Sequence, residues 1–326
     1  MRKEARYPKI NILSKNELAK HISGSKLRFS DALKLINNAA DNFNNQWYDS
    51  EHSEPEKEKF VRSAVGTCLG KLLELIDKKV LAPHDNLVPD FIFGGVSSKN
   101  HIQAAHHLLG NKRERVLLRL DIKRFFEQIH EDRVFNFFYA KCRCSARASR
   151  LIARLCCVPL GPKGQGSATK SLARGFATSP RLSLWCNLDL FLRLSWMVKK
   201  ELRGHDPKIA IYVDDIGVTA SRVSLERMEE ISRIAENILE NFDSNQKLPI
   251  NPSKKEILSN VDGMEHLGLR FGRNKLSFGG KTRFNLNKIY SKLKSPLSKS
   301  EKLRLLNQLR SYQRYKQQIV KTSNAI

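Results

Sequence analysis

The segment 208-KIAIYVDDIGVT-219 places two adjacent carboxylates, Asp214 and Asp215, in the middle of an otherwise apolar run. Its alternating pattern predicts two short strands over residues 209–219, with the acidic pair at their junction. A carboxylate removed from water needs hydrogen-bond donors, a positive side chain or a metal, and adjacent carboxylates also repel each other. The pair therefore requires a strong counter-charge.

The composition indicates a polyanionic partner. The 326 residues include 58 Lys and Arg against 33 Asp and Glu, and the resulting charge of +25 is spread from Arg2 to Lys321. Such an excess favours nucleic acid over a merely solvated basic surface. The sequence contains no apolar run of the roughly 18 to 20 residues needed to span a membrane and no signal-peptide core. We therefore expect a soluble cytoplasmic protein that does not bind membranes.

The six cysteines favour buried, reduced thiols. Four of them occur in "CRC" (142–144) and the vicinal pair "CC" (156–157), without a CxxC pair or a closely spaced histidine set. Zinc is the alternative, but these spacings do not match its usual ligand patterns.

Hydrophobic periodicity predicts a mixed α and β chain. Residues 53–80 are predicted to form one helix with Val65 in its buried face, and a long apolar helix is expected after residue 180. A further amphipathic helix is expected to bury Phe242 at its end. A hairpin is predicted to turn at Arg273 and Asn274.

The segment 115-RVLLRLDIKRFFEQI-129 predicts a strand buried on one face, with Asp121 at its end. A glycine-containing turn into a helix follows at residues 174–180, and then the hairpin with the acidic pair. Phosphoryl transfer through two Mg²⁺ ions, roughly 3.5–4 Å apart, needs carboxylates that hold both ions. A strand-end aspartate and a hairpin aspartate can supply them, although an ordinary polar strand end is the alternative for Asp121.

These elements resemble the motifs of reverse transcriptases. The stretches concerned are "LRLDIKRFFEQI" (118–129), "LARGFATSPRLS" (172–183), which is similar to the family's LPQGxxxSPxLS turn, and "YVDD" (212–215). The likeness runs from about residue 93 to about residue 278, in the family's order. It is greatest to the compact bacterial enzymes of the retron and phage-defence types.

The resemblance implies roles at the catalytic centre. Asp121 and Asp214 would be the principal ligands of two Mg²⁺ ions, with Mn²⁺ as an alternative, and Asp215 would support them. Phe126 falls where the family places the side chain that closes against the sugar 2′ position, which implies a preference for deoxynucleotides. Core packing is the alternative for this ring, and the neighbouring Phe125 would suit that role equally.

The turn at 172–183 departs from the family pattern. Gly175 would let the backbone approach the nascent base pair. Arg174 stands where the family usually has Gln, and Ala173 stands where Pro is usual. Arg174 is expected to contact template phosphate or the incoming nucleotide.

Four basic residues are further candidates for nucleotide binding. "INPSKKEIL" (250–258) resembles the family segment in which a lysine lies near the triphosphate, and Lys254 and Lys255 both fit. Lys99, in "FGGVSSKNH", and Arg119 are candidates for contacts with triphosphate or template. An exposed, solvated side chain is the alternative for each of the four.

The C-terminal part resembles the primer-handling region of the family. "HLGLRF" (266–271) looks like the hairpin that grips the primer backbone, through His266, Leu267 and Gly268; a purely structural hairpin is compatible with this. The basic, tyrosine-containing tail that follows is interpreted as a helical thumb along the duplex, with an amphipathic cap over the core as the alternative.

The resemblance implies an α+β right-hand polymerase. Residues 1–115 would form helical fingers, residues 116–272 a palm with an antiparallel sheet, interleaved fingers helices and a basic loop at 159–171, and residues 273–326 a short basic thumb. The protein would be an RNA-directed DNA polymerase that extends a primer 3′-hydroxyl with dNTPs on a non-coding RNA template and yields a DNA product. It would act in a retron-like anti-phage system.

Other functions stay open. The Val-Thr-Gly segment of retron enzymes is missing, so a defence-associated reverse transcriptase outside that group, working with an effector or partner protein, is an alternative. The chain is too short for the extra domains of a group II intron enzyme. A non-catalytic RNA-binding protein on a polymerase scaffold is the alternative of another class, although a binder has no need of the acidic cluster.

Overall fold

The computed structural model describes residues 5–110, 114–244, 247–259, 263–272 and 275–324. It is an α+β fold in which helices surround a four-stranded antiparallel sheet. The helices are α1 (Lys15–Ile22), α2 (Phe29–Asp41), α3 (Cys68–Leu75), α4 (His101–Leu109), α5 (Glu131–Asn136), α6 (Ala146–Cys156), α7 (Ser179–Cys186), α8 (Leu188–Glu201), α9 (Leu225–Asn241), α10 (Gly280–Leu293) and α11 (Lys299–Asn324). The strands are β1 (Tyr48–Asp49), β2 (Arg62–Ser63), β3 (Arg115–Asp121), β4 (Cys157–Pro159), β5 (Lys170–Leu172), β6 (Lys208–Tyr212), β7 (Asp215–Ser221), β8 (Glu256–Ser259), β9 (Glu265–His266), β10 (Leu269–Gly272) and β11 (Lys275–Phe278).

Short polar side chains set the first turns of several helices. The Ser14 hydroxyl accepts a hydrogen bond from a backbone N–H of α1, and Ser145 and Ser224 cap α6 and α9 in the same way. Asn100 and Gln103 form a capping box at the start of α4. These caps satisfy backbone donors that the helix itself leaves unpaired.

The helix predicted from residue 53 is wrong over residues 53–67. This stretch forms a 3₁₀ turn and β2, and α3 begins only at Cys68. Val65, predicted in the core, is 81% exposed. The buried guanidinium of Arg62 lies over the ring of Trp47 and holds this part of the chain extended. A tertiary contact therefore overrides the helical periodicity.

The central sheet has the strand order β6-β7-β3-β8, with every neighbouring pair antiparallel. β3 pairs with β7 along its whole length, and Asp121 stands opposite Asp215. Tyr212 pairs with Asp215, which leaves a two-residue turn between β6 and β7. The prediction of two strands with the acidic pair at their junction is confirmed.

Strand β3 is buried on both faces, whereas the sequence pattern predicted burial on one. Val116, Leu118 and Leu120 lie in the main core. Leu117 lies in a second core that is built with α4, β10, β11 and α11. Arg119, on the same face as Leu117, is the partly exposed residue of the strand. Packing by elements distant in sequence covers the second face.

The apolar segment after residue 180 forms two helices rather than one. The helix is interrupted at Asn187, whose side-chain amide donates to the Ser183 carbonyl oxygen (2.8 Å). Helix α9 lies where it was predicted, but Phe242 follows its last residue and is 40% exposed, so its assignment to the buried face is wrong.

A hairpin anchors the basic loop predicted at 159–171. β4 and β5 pair antiparallel, and residues 160–169 connect them. The Lys163 ammonium lies 4.9 Å from the centroid of the Trp47 ring and donates to the carbonyl oxygen of the same residue. The loop is therefore attached to the N-terminal helical region.

The C-terminal helices pack back onto the rest of the molecule. α11 contacts β11 and α4, where the Tyr315 hydroxyl lies 2.7 Å from Nε2 of His101. β10 and β11 pair antiparallel as predicted, while Arg273 and Asn274, at the predicted turn, lie outside the described residues.

All six cysteines are free, and four of them are buried. Burial raises the pKa of Cys156 to about 12, which keeps this thiol protonated. These buried thiols agree with the expectation from their spacing. In the part of the chain that the structure describes, no helix is both long and apolar enough to cross a membrane.

Candidate active site at the carboxylate hairpin

Three aspartates meet at one end of the central sheet. Asp121 ends β3, Asp215 begins β7 directly opposite, and Asp214 lies in the turn before it. The backbone N–H of Ile122 donates to the carbonyl oxygen of Asp214 (3.0 Å) and fixes the turn against β3. Residues separated by more than 90 positions in the chain are thus brought to one place by strand pairing.

The turn that carries Asp214 has a strained backbone. Val213 has a φ of 59°, in the left-handed region that a β-branched residue rarely adopts. Gly94 lies against this turn: a Cβ at residue 94 would stand 2.3 Å from the backbone nitrogen of Val213. Sequence reasoning missed Gly94, although its place in the Gly-Gly pair 94–95 was a signal for close backbone approach.

Burial and mutual repulsion make the acidic cluster electrostatically unfavourable. Asp121 is 7% exposed. Burial, with added repulsion from Asp214 and Asp121, raises the pKa of Asp215 to about 6. Burial is also the main cause that raises the pKa of Asp214. The cluster therefore favours a bound positive charge.

Lys254 supplies positive charge in the structure. Its Nζ lies 2.7 Å from Oδ2 of Asp121, and the segment that carries it is fixed by Asn251, whose backbone N–H donates to the Asp121 carbonyl oxygen (2.8 Å). The Asn251 side-chain oxygen also caps the 3₁₀ turn Pro252–Lys254. Asn251 was not singled out from the sequence, although an Asn-Pro pair is a turn signal.

The donor atoms of the cluster suit a hard divalent cation. Mg²⁺ is bound in proteins through carboxylate oxygens. Burial, with added repulsion between the aspartates, raises the pKa values of Asp214 and Asp215, and a bound cation would offset both effects. Among the residues that the structure describes, no three His, Cys, Asp or Glu side chains stand close enough to hold an ion already. On donor chemistry, Asp121 and these two aspartates fit a metal.

Phe126, Glu127 and Arg174 form a compact group beside the carboxylates. The Arg174 guanidinium donates to both carboxylate oxygens of Glu127 (3.1 and 3.0 Å) and lies 5.1 Å from the centroid of the Phe126 ring. Burial alone would lower the pKa of Arg174, but the Glu127 carboxylate raises it, and Asp214 and Asp121 contribute in the same direction. Glu127 was missed, and its only signal was its position next to Phe126.

Gly175 is required by a contact that the sequence did not predict. Its φ is 101°, and a Cβ there would stand 2.4 Å from the carbonyl oxygen of Arg62. The backbone N–H of Arg62 donates in turn to the carbonyl oxygen of Arg174 (2.6 Å). The close approach in the structure is thus between the 174–175 turn and β2. The next residues, Ser179 and Pro180, open α7 as expected.

The other predicted basic residues differ in position. Arg119 lies near Asp215 on the same sheet face and forms an ion pair with Glu256 (2.8 Å). Lys255 forms ion pairs with Glu229 and Glu236 of α9 (2.8 and 2.9 Å), and the structure does not bring it to the carboxylates.

Lys99 is held by backbone oxygens. Its ammonium donates to the carbonyl oxygens of Pro89 and Ile92 (3.0 Å each) and lies 5.3 Å from the centroid of the Phe93 ring. Burial lowers its pKa. These contacts tie together the connector between α3 and α4, and they do not reach the carboxylate cluster.

The segment His266–Leu267–Gly268 forms a tight hairpin next to β7. Leu267 and Gly268 have φ values of 53° and 72°, so both turn residues are left-handed, as a type I′ turn requires. His266 is 2% exposed, and a Cβ at Gly217 of β7 would stand 2.8 Å from its Nε2. Among the described residues, neither ring nitrogen has a hydrogen-bond partner. Burial lowers the pKa of His266 to about 3.

A family comparison agrees with this geometry. Residues 55–271 match the family model described as reverse transcriptase (RNA-dependent DNA polymerase), and this range contains the three aspartates, the 174–175 turn and the 266–268 hairpin. A search of curated proteins found no match to the chain.

Proposed function

This chain belongs to the reverse transcriptase family and is an RNA-directed DNA polymerase, and we propose that its catalytic centre is the cluster of Asp121, Asp214 and Asp215. The observation that carries the proposal is the strand register, which sets Asp121 opposite Asp215 with Asp214 in the adjoining turn. Three carboxylates thus collect in a chain whose net charge is +25. A basic surface of this kind suits the phosphate backbone of a primer and template.

Asp121, Asp214 and Asp215 would hold two Mg²⁺ ions, or Mn²⁺ in their place. When bound, the ions would favour attack by the primer 3′-hydroxyl and neutralise charge on the departing pyrophosphate. Asp121 and Asp214 act as the principal ligands, and Asp215 supports them. Lys254, on the edge of the cluster, is suited to leave Asp121 for a triphosphate oxygen when a nucleotide binds, because its side chain is 55% exposed.

The incoming nucleotide would lie between the carboxylates and the turn at 174–175. Phe126 closes against the sugar 2′ position and excludes ribonucleotides sterically. Arg174 and Gly175 line the same side as Phe126, facing the carboxylates, and Arg119 extends the basic surface. Lys99 and Lys255 are assigned structural roles, because each is engaged at a distance from the aspartates.

The remaining elements follow the plan of a right-hand polymerase. Residues 1–115 act as fingers, residues 116–272 as the palm, and residues 273–326 as the thumb. The hairpin at 266–268 grips the primer backbone, which its position against β7 supports. The basic helices α10 and α11 then lie along the duplex, with exposed Phe284 and Tyr290 available to it.

A dedicated non-coding RNA is the proposed template, in a retron-like anti-phage system of the cytoplasm. The strongly basic surface supports a large RNA partner. A defence-associated enzyme that works with a partner or effector protein outside the retron group is the alternative. Sequencing the nucleic acid that co-purifies with the protein tests the retron-like proposal, because it identifies template and product together, and a single RNA joined or base-paired to its DNA copy is expected in that case.

The test of the catalytic assignment is Asp214→Asn, which keeps the shape of the side chain and removes its charge. Incorporation of labelled dNTP on a primed RNA template should be lost, while RNA binding measured by filter retention is kept. Asp132→Asn, on an exposed residue of α5, serves as the matched control and should retain synthesis. Loss of RNA binding with synthesis intact would refute the assignment.

The purely RNA-binding alternative has its own outcome in the same assay. Purified wild-type protein is given Mg²⁺ or Mn²⁺ and a set of primed templates, with and without RNase treatment. Incorporation that disappears when the RNA is digested supports polymerisation on RNA. A folded protein that binds RNA but incorporates no nucleotide on any template would favour the binder.

A further inference from the structure

We propose that Glu127 and Arg174 form a clamp that holds the ring of Phe126 in place, and that this clamp sets how strongly the enzyme rejects ribonucleotides. The inference rests on the proposed function, in which Phe126 meets the 2′ position of the incoming sugar. It assigns to Glu127 and Arg174 a positioning role that acts through the aromatic ring.

The contacts define the clamp. Nε and Nη2 of Arg174 each donate to one carboxylate oxygen of Glu127, which fixes the guanidinium plane by two parallel hydrogen bonds. The same guanidinium lies over the Phe126 ring at 5.1 Å from its centroid. The side chains of Arg174 and Glu127 are 18% and 13% exposed, so water screens the pair only weakly. The ring therefore has a rigid cationic plane against one of its surfaces.

The backbone around Phe126 restrains the ring little by itself. Phe126–Gln128 is a single 3₁₀ turn, and it follows Arg124, whose φ of 53° is left-handed. So short an element offers few hydrogen bonds of its own. The ring is 8% exposed and packs in the main core, where its side-chain contacts include the Arg174 guanidinium and the Phe125 ring, whose centroid lies 5.8 Å away.

The clamp is fixed from outside the palm as well. The carbonyl oxygen of Arg174 accepts the backbone N–H of Arg62 in β2, and Gly175 packs against the carbonyl oxygen of that residue. The position of the guanidinium is thus set by the N-terminal region as well as by Glu127. A side chain that must exclude a single hydroxyl group needs such support, because a small displacement of the ring opens room for the oxygen.

The chemistry of the clamp requires arginine. Lysine carries the same charge, but as a compact ammonium it cannot make two parallel hydrogen bonds to one carboxylate or lie flat over a ring. Arg174→Lys therefore removes the geometry and keeps the charge. Glu127→Gln has the opposite effect, since it keeps the shape and removes the charge that orients the guanidinium.

The experiment measures the ratio of kcat/KM for a dNTP to that for the matching rNTP on one primed RNA template. Phe126→Ala should lower this ratio most. Glu127→Gln and Arg174→Lys should each lower it by about tenfold, the size expected when a cation–π contact that orders the ring is lost. Adding Glu127→Gln to Phe126→Ala should lower the ratio no further, because the clamp acts only through the ring.

Glu131→Gln is the matched control. Glu131 is also a carboxylate paired with a cation, Lys170 at 3.6 Å, and it lies four residues beyond Glu127. The dNTP to rNTP ratio should be unchanged in this variant. Melting temperatures of all variants establish that they are folded, and Arg174→Lys provides the answer if Glu127→Gln fails to fold.

The outcomes separate the clamp from the proposed function. If Phe126→Ala loses discrimination while Glu127→Gln and Arg174→Lys keep the wild-type ratio, the clamp is refuted and the polymerase site stands. If Phe126→Ala also keeps the ratio, the ring is not the excluding group and both the clamp and the role of Phe126 are refuted. If the wild-type protein incorporates no dNTP, the proposed function fails first.

Discussion

The ammonium nitrogen of Lys254 lies 2.7 Å from Oδ2 of Asp121, so a largely exposed cation neutralises a carboxylate that is only 7% exposed. The lysine thereby occupies one side of a cluster that also contains Asp214 and Asp215. A metal ion bound there competes with the ammonium for the same oxygen atoms. Lys254 is therefore expected to stabilise the metal-free protein and to weaken metal binding.

Lys254→Met tests this competition. In the presence of a chelator, the variant should be less stable by about 1 kcal/mol, or about 2 °C in melting temperature, because Asp121 loses its partner. Added Mg²⁺ should then raise the melting temperature more in the variant than in the wild type, because the ion no longer displaces an ammonium. Thermal melts over a Mg²⁺ titration measure both effects.

Lys255→Met is the control for that experiment. Its lysine is adjacent in sequence but forms ion pairs with Glu229 and Glu236 on α9. The Mg²⁺-dependent shift of this variant should equal that of the wild type. Equal shifts for Lys254→Met and the wild type would contradict the competition.

Asp215→Asn should change the pH dependence of stability. The pKa of Asp215 is raised to about 6 in the folded protein, from an unfolded value near 4. Between pH 4 and pH 6 the folded state therefore binds a proton at this carboxyl that the unfolded state has lost. The stability that the protonated Asp215 carboxyl contributes is fully present below pH 4 and is lost as the pH rises through 6. Without metal, the free energy of unfolding of the variant should be higher than that of the wild type by about 1 kcal/mol at pH 7, a figure that is reduced because the side chain is partly exposed. At pH 4 the two free energies of unfolding should be equal.

Melting temperatures at pH 4, 5, 6 and 7 in chelator provide the measurement for Asp215→Asn. Asp132→Asn, on an exposed side chain, should follow the wild-type curve throughout. A stability gain of Asp215→Asn that does not change with pH would show that the carboxyl does not titrate in this range.

His266 should make the protein sensitive to acid. Burial lowers the pKa of His266 to about 3, whereas it is near 6.5 in the unfolded chain. The stability from this group is present above pH 6.5 and is lost as the pH falls towards 3, by about 1.4 kcal/mol for each pH unit in that window. His266→Gln should flatten this part of the curve, as measured by denaturant unfolding between pH 7 and pH 4.

The control for His266 is His52→Gln, because the His52 side chain is 78% exposed. The free energy of unfolding of this variant should decrease with falling pH as steeply as that of the wild type. If His266→Gln is as acid-sensitive as His52→Gln, the buried ring does not carry the effect.

Gly94→Ala should disturb the hairpin that carries Asp214 and Asp215. A Cβ at residue 94 would stand 2.3 Å from the backbone nitrogen of Val213, so the turn that carries Asp214 must move. We expect dNTP incorporation to fall by about a hundredfold, the cost of a displacement near 1 Å at a reacting centre. Single-nucleotide extension rates, measured at saturating Mg²⁺, give the result.

Gly280→Ala is the matched control for Gly94→Ala. The nearest atoms to a Cβ at residue 280 are carboxylate oxygens of Glu265 at 3.7 Å, an ordinary contact, and alanine favours the helix α10 that begins there. Extension by this variant should be close to that of the wild type. Normal extension by Gly94→Ala would mean that the hairpin tolerates the displacement.

The aspartates that we propose as the catalytic centre could be singled out before the fold was known. Burying an acidic pair within an apolar hairpin costs free energy unless a positive charge binds to it, so the pair indicates a functional site. The alternating pattern along residues 115–121 placed Asp121 at the end of a strand. The structure adds the register that sets Asp121 opposite Asp215. It also distinguishes Lys254 from Lys255, which the sequence could not, because adjacent residues in a turn point in different directions.

Two of the errors share one physical cause. The helix predicted over 53–67 was overridden by the buried contacts of Arg62, and the second buried face of β3 depends on α4 and α11. Periodicity reports which side of an element is apolar, but it contains no information on which distant element packs there.

The sequence by itself determined the chemistry of this protein: an acidic cluster in a basic chain, in the motif order of its family. Only the tertiary structure decided the partners, namely Lys254 on Asp121, Glu127 on Arg174 and Gly94 beneath Val213. The reason is that the residue type and its local sequence pattern determine which chemistry a side chain can perform. Contacts between segments far apart in the chain depend on how the whole core packs, and they fix what each side chain meets.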